Sequence, residues 1–160
     1  MRRADREIND ISEIISVMKE CDVCRVALFD DEYPYILPLN FGMENDTQTG
    51  KIMLYFHGAS EGKKYELISK NPRASFEMDT SHRLILDEEH GYCTMEYESV
   101  IGQGKITIIE GEEEKKRALD LLMLHYKRDG FAYSQASAKI TKVMKLEVKS
   151  LTGKRRMKKS

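Results

Sequence analysis

Residues 54–72 of this chain read LYFHGASEGKKYELISKNP, and they bring several reactive types close together. A short apolar run ends at His57. Gly58, Ala59 and Ser60 follow, then Gly62, Lys63 and Lys64, and the stretch closes at Asn71-Pro72. The pattern predicts a strand, a glycine-containing turn and a helix start that carries two ammonium groups. Orphan N–H groups and the positive end of the helix dipole would point the same way as the lysines. This arrangement describes an anion site, with phosphate as its natural guest. The GxxxxGK[ST] spacing of a P-loop is absent. The alternative is a surface turn with solvated lysines. His57 is a candidate to bond a cofactor or substrate, or to act as an acid or base near neutral pH.

Other chemistry is thinner. Cys21-x-x-Cys24 lies between a predicted helix and a predicted strand, the reverse of the redox order in which a helix N-terminus lowers a thiol pKa. No second paired motif completes a zinc site, so the two thiols read as buried small hydrophobes and no metal is expected. His125 falls on the apolar face of a predicted helix. His82 and His90 fall in a polar stretch. No nucleophile motif of the GxSxG kind occurs. The GQG at 102–104 precedes a strand, not a helix, and is no dinucleotide fingerprint.

The elements that must position these groups follow from periodicity. Asp5 is placed to cap a helix over 6–20, with Ile8, Ile11, Ile15 and Met18 on one stripe. Strands are predicted at 23–30 and 35–42, joined as a hairpin. The second, YILPLNFG, holds Pro38, which cannot donate to a ladder and marks an edge or a bulge. The free backbone groups beside it would suit a flat heterocycle with donors and acceptors on its rim. Residues 44–50 read as a turn, 51–56 as a strand and 61–70 as a short helix. Residues 73–78 read as a strand and 80–91 as a long loop. Residues 92–101 form a long strand with Cys93, Met95, Tyr97, Ser99 and Ile101 on one face, followed by a glycine bend and a strand over 105–109. A helix over 112–126 opens with three glutamates and closes with Lys127 and Arg128, matching the dipole at both ends. Val143 starts the last strand, which ends at residue 150. About seven strands and three helices with short connections imply an antiparallel sheet, curled into a barrel with the helices outside.

The totals set the bounds. A chain of 160 residues with 41% hydrophobic and 33% charged residues fits one domain with a single core. No run reaches membrane-span length, and the charged N-terminus lacks an apolar leader. Three cysteines suggest no disulfide framework, so a reducing cytoplasm is expected. Net charge is −1, yet the last seven residues, KRRMKKS, are strongly basic. Residues 1–150 are read as the domain and 151–160 as a basic tail. The tail is taken as solvated; nucleic acid and membranes are not expected partners.

In order along the chain, RRADREI, CDVCRVAL, YILPLNFG, LYFHGASEGKK, the NP after the short helix, YESVIGQGKI, EEKKRAL and LTGK resemble the flavin-binding split-barrel proteins related to pyridoxamine 5′-phosphate oxidase. Within that group the chain is most similar to the nitroimidazole-resistance (Nim-type) flavoproteins. The resemblance implies a mainly β (α+β) antiparallel split barrel, a homodimer, and flavin mononucleotide at the subunit interface, with FAD or haem as the less expected cofactors. By position, Lys63 and Lys64 would hold the flavin phosphate. His57, Gly58 and Ala59 would line the cofactor, and Pro38, Leu39, Asn40 and Phe41 would present backbone groups to the ring. Ser99 matches a polar position that touches flavin in related oxidases. In Nim-type relatives the proposed activity is reduction of a nitro group to an amine; His57 sits where that subgroup places a histidine against the flavin and is the candidate proton donor. The substrate-phosphate arginines of vitamin B6 oxidases have no match. A flavin- or haem-binding module without fast turnover is the alternative.

Overall fold

The computed structural model describes residues 3–134, 137 and 140–157. A 3-10 turn at Ala4–Arg6 leads into strand β1 (Glu7–Ile8), and helix α1 runs Ile11–Glu20. Asp10, not Asp5, caps α1: its carboxylate accepts the Ser12 N–H at 2.8 Å. Asp5 instead pairs with Arg3. The chain continues with β2 (Cys24–Leu28), β3 (Tyr35–Leu39), β4 (Phe41–Asp46), β5 (Lys51–Ala59), α2 (Lys63–Lys70), β6 (Arg73–Asp87), β7 (Tyr92–Ile109), α3 (Glu112–His125) and β8 (Thr141–Arg156).

All pairings are antiparallel, in the order β3-β2-β6-β7-β8-β5-β4, with β1 added against the end of β8. The two edge strands, β3 and β4, are consecutive in the chain and only Asn40 separates them. A sheet whose opposite edges are joined by one residue must curl until those edges meet. No ladder joins β3 to β4, so the barrel is closed by chain and left split by hydrogen bonding. This is the expected α+β split barrel, with one expected strand, 35–42, broken in two at Asn40.

The break has a physical cause. Tyr126 follows the last turn of α3, and its hydroxyl receives the Phe41 N–H at 3.3 Å and the Asn40 amide at 3.1 Å, while donating to the Asp22 carbonyl at 2.5 Å. His125 Nε2 lies 2.8 Å from the Cys21 carbonyl, and its ring packs 4.2 Å from that of Phe41. The helix end therefore ties the split together. α3 can come this close because Gly42 has no side chain: a Cβ there would stand 2.5 Å from the Leu122 nitrogen.

Other boundaries also move. The expected turn at 44–50 is strand through Asp46, and β5 runs on through His57 and Gly58 to Ala59. The loop expected at 80–91 is mostly strand. β6 and β7 pair from Arg73 to Asp87 with a register shift between Thr80 and Arg83, and Ser81, His82 and the 88–91 turn have no partner in this ladder. Gly102 and Gly104 flank a register shift against β8 but do not divide β7. The tail expected from residue 151 starts too early. β8 extends to Arg156, Gly153 is buried, and Arg155 binds Glu98 and Glu13 at 2.5 Å each. Residues 158–160 lie outside the described residues.

The barrel interior is filled by Phe41, Phe56, Phe76, Met18, Leu54 and Leu146, all at most 2% exposed. Cys21 and Cys24 belong to this core as free thiols, as the sequence predicts. Burial raises the Cys21 thiol to about 12 and pushes that of Cys24 up as well, so both stay protonated at neutral pH. Among the described residues no helix is long and apolar enough to cross a membrane. Gly42→Ala is expected to force α3 off the barrel and cost about 1–3 kcal/mol of stability, as overpacked sites do. Chemical denaturation checks it, and an unchanged midpoint would contradict this reading of the α3 contact.

Candidate functional site

The site residues gather where β5 ends, β8 begins and α2 starts. Across the β5–β8 ladder His57 faces Val143, Gly58 faces Lys142, and Ala59 faces Thr141. Gly62 then turns the chain with φ of 139°, a conformation that suits glycine, and α2 begins with Lys63 and Lys64. No side chain caps this helix start.

The two adjacent lysines diverge. Lys63 Nζ binds the Asp30 carboxylate at 2.6 Å, and it also lies 5.6 Å from the centre of the Tyr35 ring. Lys64 turns back over Gly58 and stands 4.5 Å from the centre of the Tyr65 ring. Lys142, opposite Gly58 on β8, reaches the same ring at 4.6 Å. Tyr65 is itself fixed by donating its hydroxyl to the Ala59 carbonyl at 2.6 Å. Among the described residues neither Lys64 nor Lys142 is paired with a carboxylate. Two ammonium groups held around one aromatic ring repel each other, and an anion between them would relieve that repulsion with charge-assisted bonds. Gly58 makes the cradle possible. A Cβ would meet Lys64 Cε at 3.0 Å and both Lys64 Nζ and the Tyr65 hydroxyl at 3.2 Å. The donor set and the cleared space fit a phosphate group.

His57 is exposed one residue before Gly58 on β5 and opposite Val143, so its side chain leaves the strand on the face opposite the cradle. Desolvation alone lowers its pKa from the ordinary 6.5, so the imidazole is neutral at pH 7. No charged or hydrogen-bonding neighbour among the described residues orients it.

The remaining expected residues divide into a near and a far set. Phe41 pairs with Phe56, which places the β3–β4 junction next to His57. Phe41 is fully buried, and its N–H and the Asn40 amide are already given to Tyr126. Pro38 and Leu39 lie on the edge strand β3, with Pro38 exposed and opposite Arg25. Ser99 is far away. It pairs with Asp79 and Lys154, whereas the His57 row meets β7 at Ile109. Ten residues of strand separate Ser99 from that row, about 30 Å along β7. One chain does not bring Ser99 and Lys64 to a common ligand. A cavity of about 290 Å³ opens at the β2–β3 turn, where Asp30 forms part of the wall. This is at the bottom of the usual range for small-molecule pockets, about 300–1,000 Å³.

Lys142, Tyr65 and Tyr126 have site or scaffold roles that the sequence does not flag. Lys142 is an ordinary strand-flanking lysine until the ladder sets it opposite Gly58.

The family model for pyridoxamine 5′-phosphate oxidase matches residues 10–155. Among solved structures, a candidate 5-nitroimidazole antibiotic resistance protein from Bacteroides thetaiotaomicron is 38% identical; the match covers 92% of this chain and 85% of that one, with a TM-score of 0.80. The flavocytochrome Anf3 from Azotobacter vinelandii is 17% identical over 98% of this chain and 72% of its own, with a TM-score of 0.79. The FAD and haem binding protein from Mycobacterium smegmatis is 16% identical over 94% and 73%, with a TM-score of 0.77. At those identities the last two establish the fold. No match was found among curated proteins.

The lowered pKa of His57 has a measurable consequence. Its NMR titration should centre below 6.5, and acidification through that folded value should cost stability, because the unfolded chain takes up the proton first. His57→Gln should remove that part of the acid sensitivity. A His57 midpoint at or above 6.5 would contradict the desolvated environment.

Proposed function

The chain belongs to the pyridoxamine 5′-phosphate oxidase family, and from that premise we propose that it is a flavoprotein, a cytoplasmic homodimer that holds flavin mononucleotide between two copies and reduces small nitroaromatic or nitroimidazole compounds. The observation that carries the reading is the pair of carboxylate-free ammonium groups, Lys64 and Lys142, gathered around Tyr65 above a glycine. The 38% identity to a candidate 5-nitroimidazole resistance protein supports the substrate class. The separation of Ser99 from Lys64 supports a site shared by two copies, since a ligand touching both needs each from a different chain. The free thiols Cys21 and Cys24 suit a reducing compartment.

In this reading Lys64 and Lys142 bind the cofactor phosphate, aided by the N–H groups at the start of α2. Lys63 contributes less, because Asp30 already holds it. A bound flavin would supply the electron transfer to the nitro group. The chain's own residues orient it and limit water. Pro38 and Leu39 on the unpaired edge of β3 offer backbone groups to the ring. His57 delivers a proton to the substrate as electrons arrive, and its neutral resting state means that it must be recharged from solvent each time. The alternative, a flavin- or haem-binding module without fast turnover, is favoured by one feature. His57 lacks the orienting partner that an efficient acid usually has.

The purified protein should show flavin absorption, and the heat-released chromophore should have the mass of the mononucleotide. A haem band, or the dinucleotide mass, would redirect the cofactor assignment; a colourless protein that takes up no flavin would overturn it. Lys64→Ala and Lys142→Ala should each weaken flavin affinity roughly 10- to 100-fold, the worth of one charge-assisted bond, and Lys63→Ala by less. His57→Ala should retain flavin but lose nitro-compound turnover. Full turnover in that variant would remove the proton-donor role.

A further inference from the structure

Among the described residues Asp30 supplies the one carboxylate that pairs with the lysines around the start of α2. Its side chain, 19% exposed, holds Lys63 Nζ at 2.6 Å, while Lys64 and Lys142 lean on the Tyr65 ring instead. Lys63 and Lys64 are chain neighbours, with Cα atoms about 3.8 Å apart. The Lys63 side chain is 53% exposed and turns about a flexible four-carbon stem, so its ammonium is free to change partners. The helix start beside it carries no side-chain cap, which leaves its first N–H groups open to an anion.

The Lys63–Asp30 bond also ties the tip of the β2–β3 hairpin to α2. Asp30 opens a turn that closes when the Tyr33 N–H donates to the Asp30 carbonyl at 3.0 Å. Asp31, next in that turn, has a φ of 33°, which a non-glycine residue seldom takes. Lys63 lies 5.6 Å from the centre of the Tyr35 ring, at the start of β3. β3 is an edge strand paired only with β2, so the tip has few other holds. One is Arg73, past the end of α2, which stands 5.5 Å from the centre of the Phe29 ring. A partly exposed ion pair is a weak contact that salt screens. A phosphate brings nearly two negative charges and three acceptor oxygens against the single charge of a carboxylate. If Lys63 kept Asp30 while it met a phosphate, two anions would face each other across one ammonium, and like charges in one site repel.

We propose that Asp30 is a built-in competitor of the cofactor phosphate, and that Lys63 exchanges Asp30 for the phosphate when the cofactor binds, releasing the hairpin tip from α2. This rests on the phosphate site proposed above. It adds an internal limit on the affinity of that site and a link from the site to the edge strand β3.

Titration of the flavin-free protein with flavin mononucleotide and with riboflavin, followed by flavin fluorescence, tests the exchange. Asp30→Asn keeps the shape of the side chain and removes its charge. It should tighten mononucleotide binding roughly three- to fivefold, as expected for one partly exposed ion pair, and leave riboflavin binding unchanged. Lys63→Ala in the Asp30→Asn background should abolish that gain and cost more affinity than Lys63→Ala alone. In the wild type, amide exchange over residues 30–35 should quicken when the mononucleotide binds and not when riboflavin binds. A mononucleotide affinity untouched by Asp30→Asn, a gain shared by riboflavin, a gain that survives the loss of Lys63, or unchanged amide exchange would each overturn this proposal and leave the Lys64–Lys142 site standing. A wild type that does not distinguish the mononucleotide from riboflavin would overturn both.

Discussion

Gly58 sits opposite Lys142 on the β5–β8 ladder, and the candidate site depends on that register. A slip of one residue would turn Lys142 to the other face and bring a side chain over the space that Lys64 now crosses. The register is held well away from the site. Leu54 and Phe56 of β5, with Leu146 and Met144 of β8, are buried in the core opposite one another, so the slip would expose them together. Core packing thus fixes where two ammonium groups stand. The chemistry is borrowed from the stability of the barrel.

The same economy appears at the split. β3 and β4 occupy opposite edges of the sheet but are joined at Asn40, and the backbone groups at such a break need partners. Tyr126 supplies them from the end of α3, with one hydroxyl meeting Asn40, Phe41 and Asp22. That contact requires α3 to lie on the β4 backbone, which Gly42 permits. The free edge of β3, marked by Pro38, is then left beside the His57 end of β5.

Most of this fold is legible in the sequence, and the misreadings have physical reasons. The hairpin of β2 and β3, the α3 helix and the buried cysteine pair follow from alternation, dipole-matched charges and residue order. Residues 80–91 are read as loop because they are rich in charge; most of them are exposed and none is fully buried, so no buried face imposes alternation on the stretch. The β3–β4 break is invisible locally, since Tyr126, which organises it, is distant in sequence. The same holds for the site. His57, Gly58 and the lysine pair announce themselves by spacing. Spacing does not show that Asp30 occupies Lys63, or that Lys142 replaces it beside Lys64. Charges brought together by a ladder between distant strands can be found only once the register is known.

The claim that the Lys64–Lys142 pair around Tyr65 is a phosphate site is tested most directly by comparing flavin mononucleotide with riboflavin, which lacks the phosphate, as ligands of the flavin-free protein. The account predicts that the wild type prefers the mononucleotide by roughly tenfold or more for each charge-assisted bond, and that Lys142→Ala narrows the preference while leaving riboflavin affinity unchanged. Equal affinity for the two ligands in the wild type, or a preference untouched by Lys142→Ala, would contradict it.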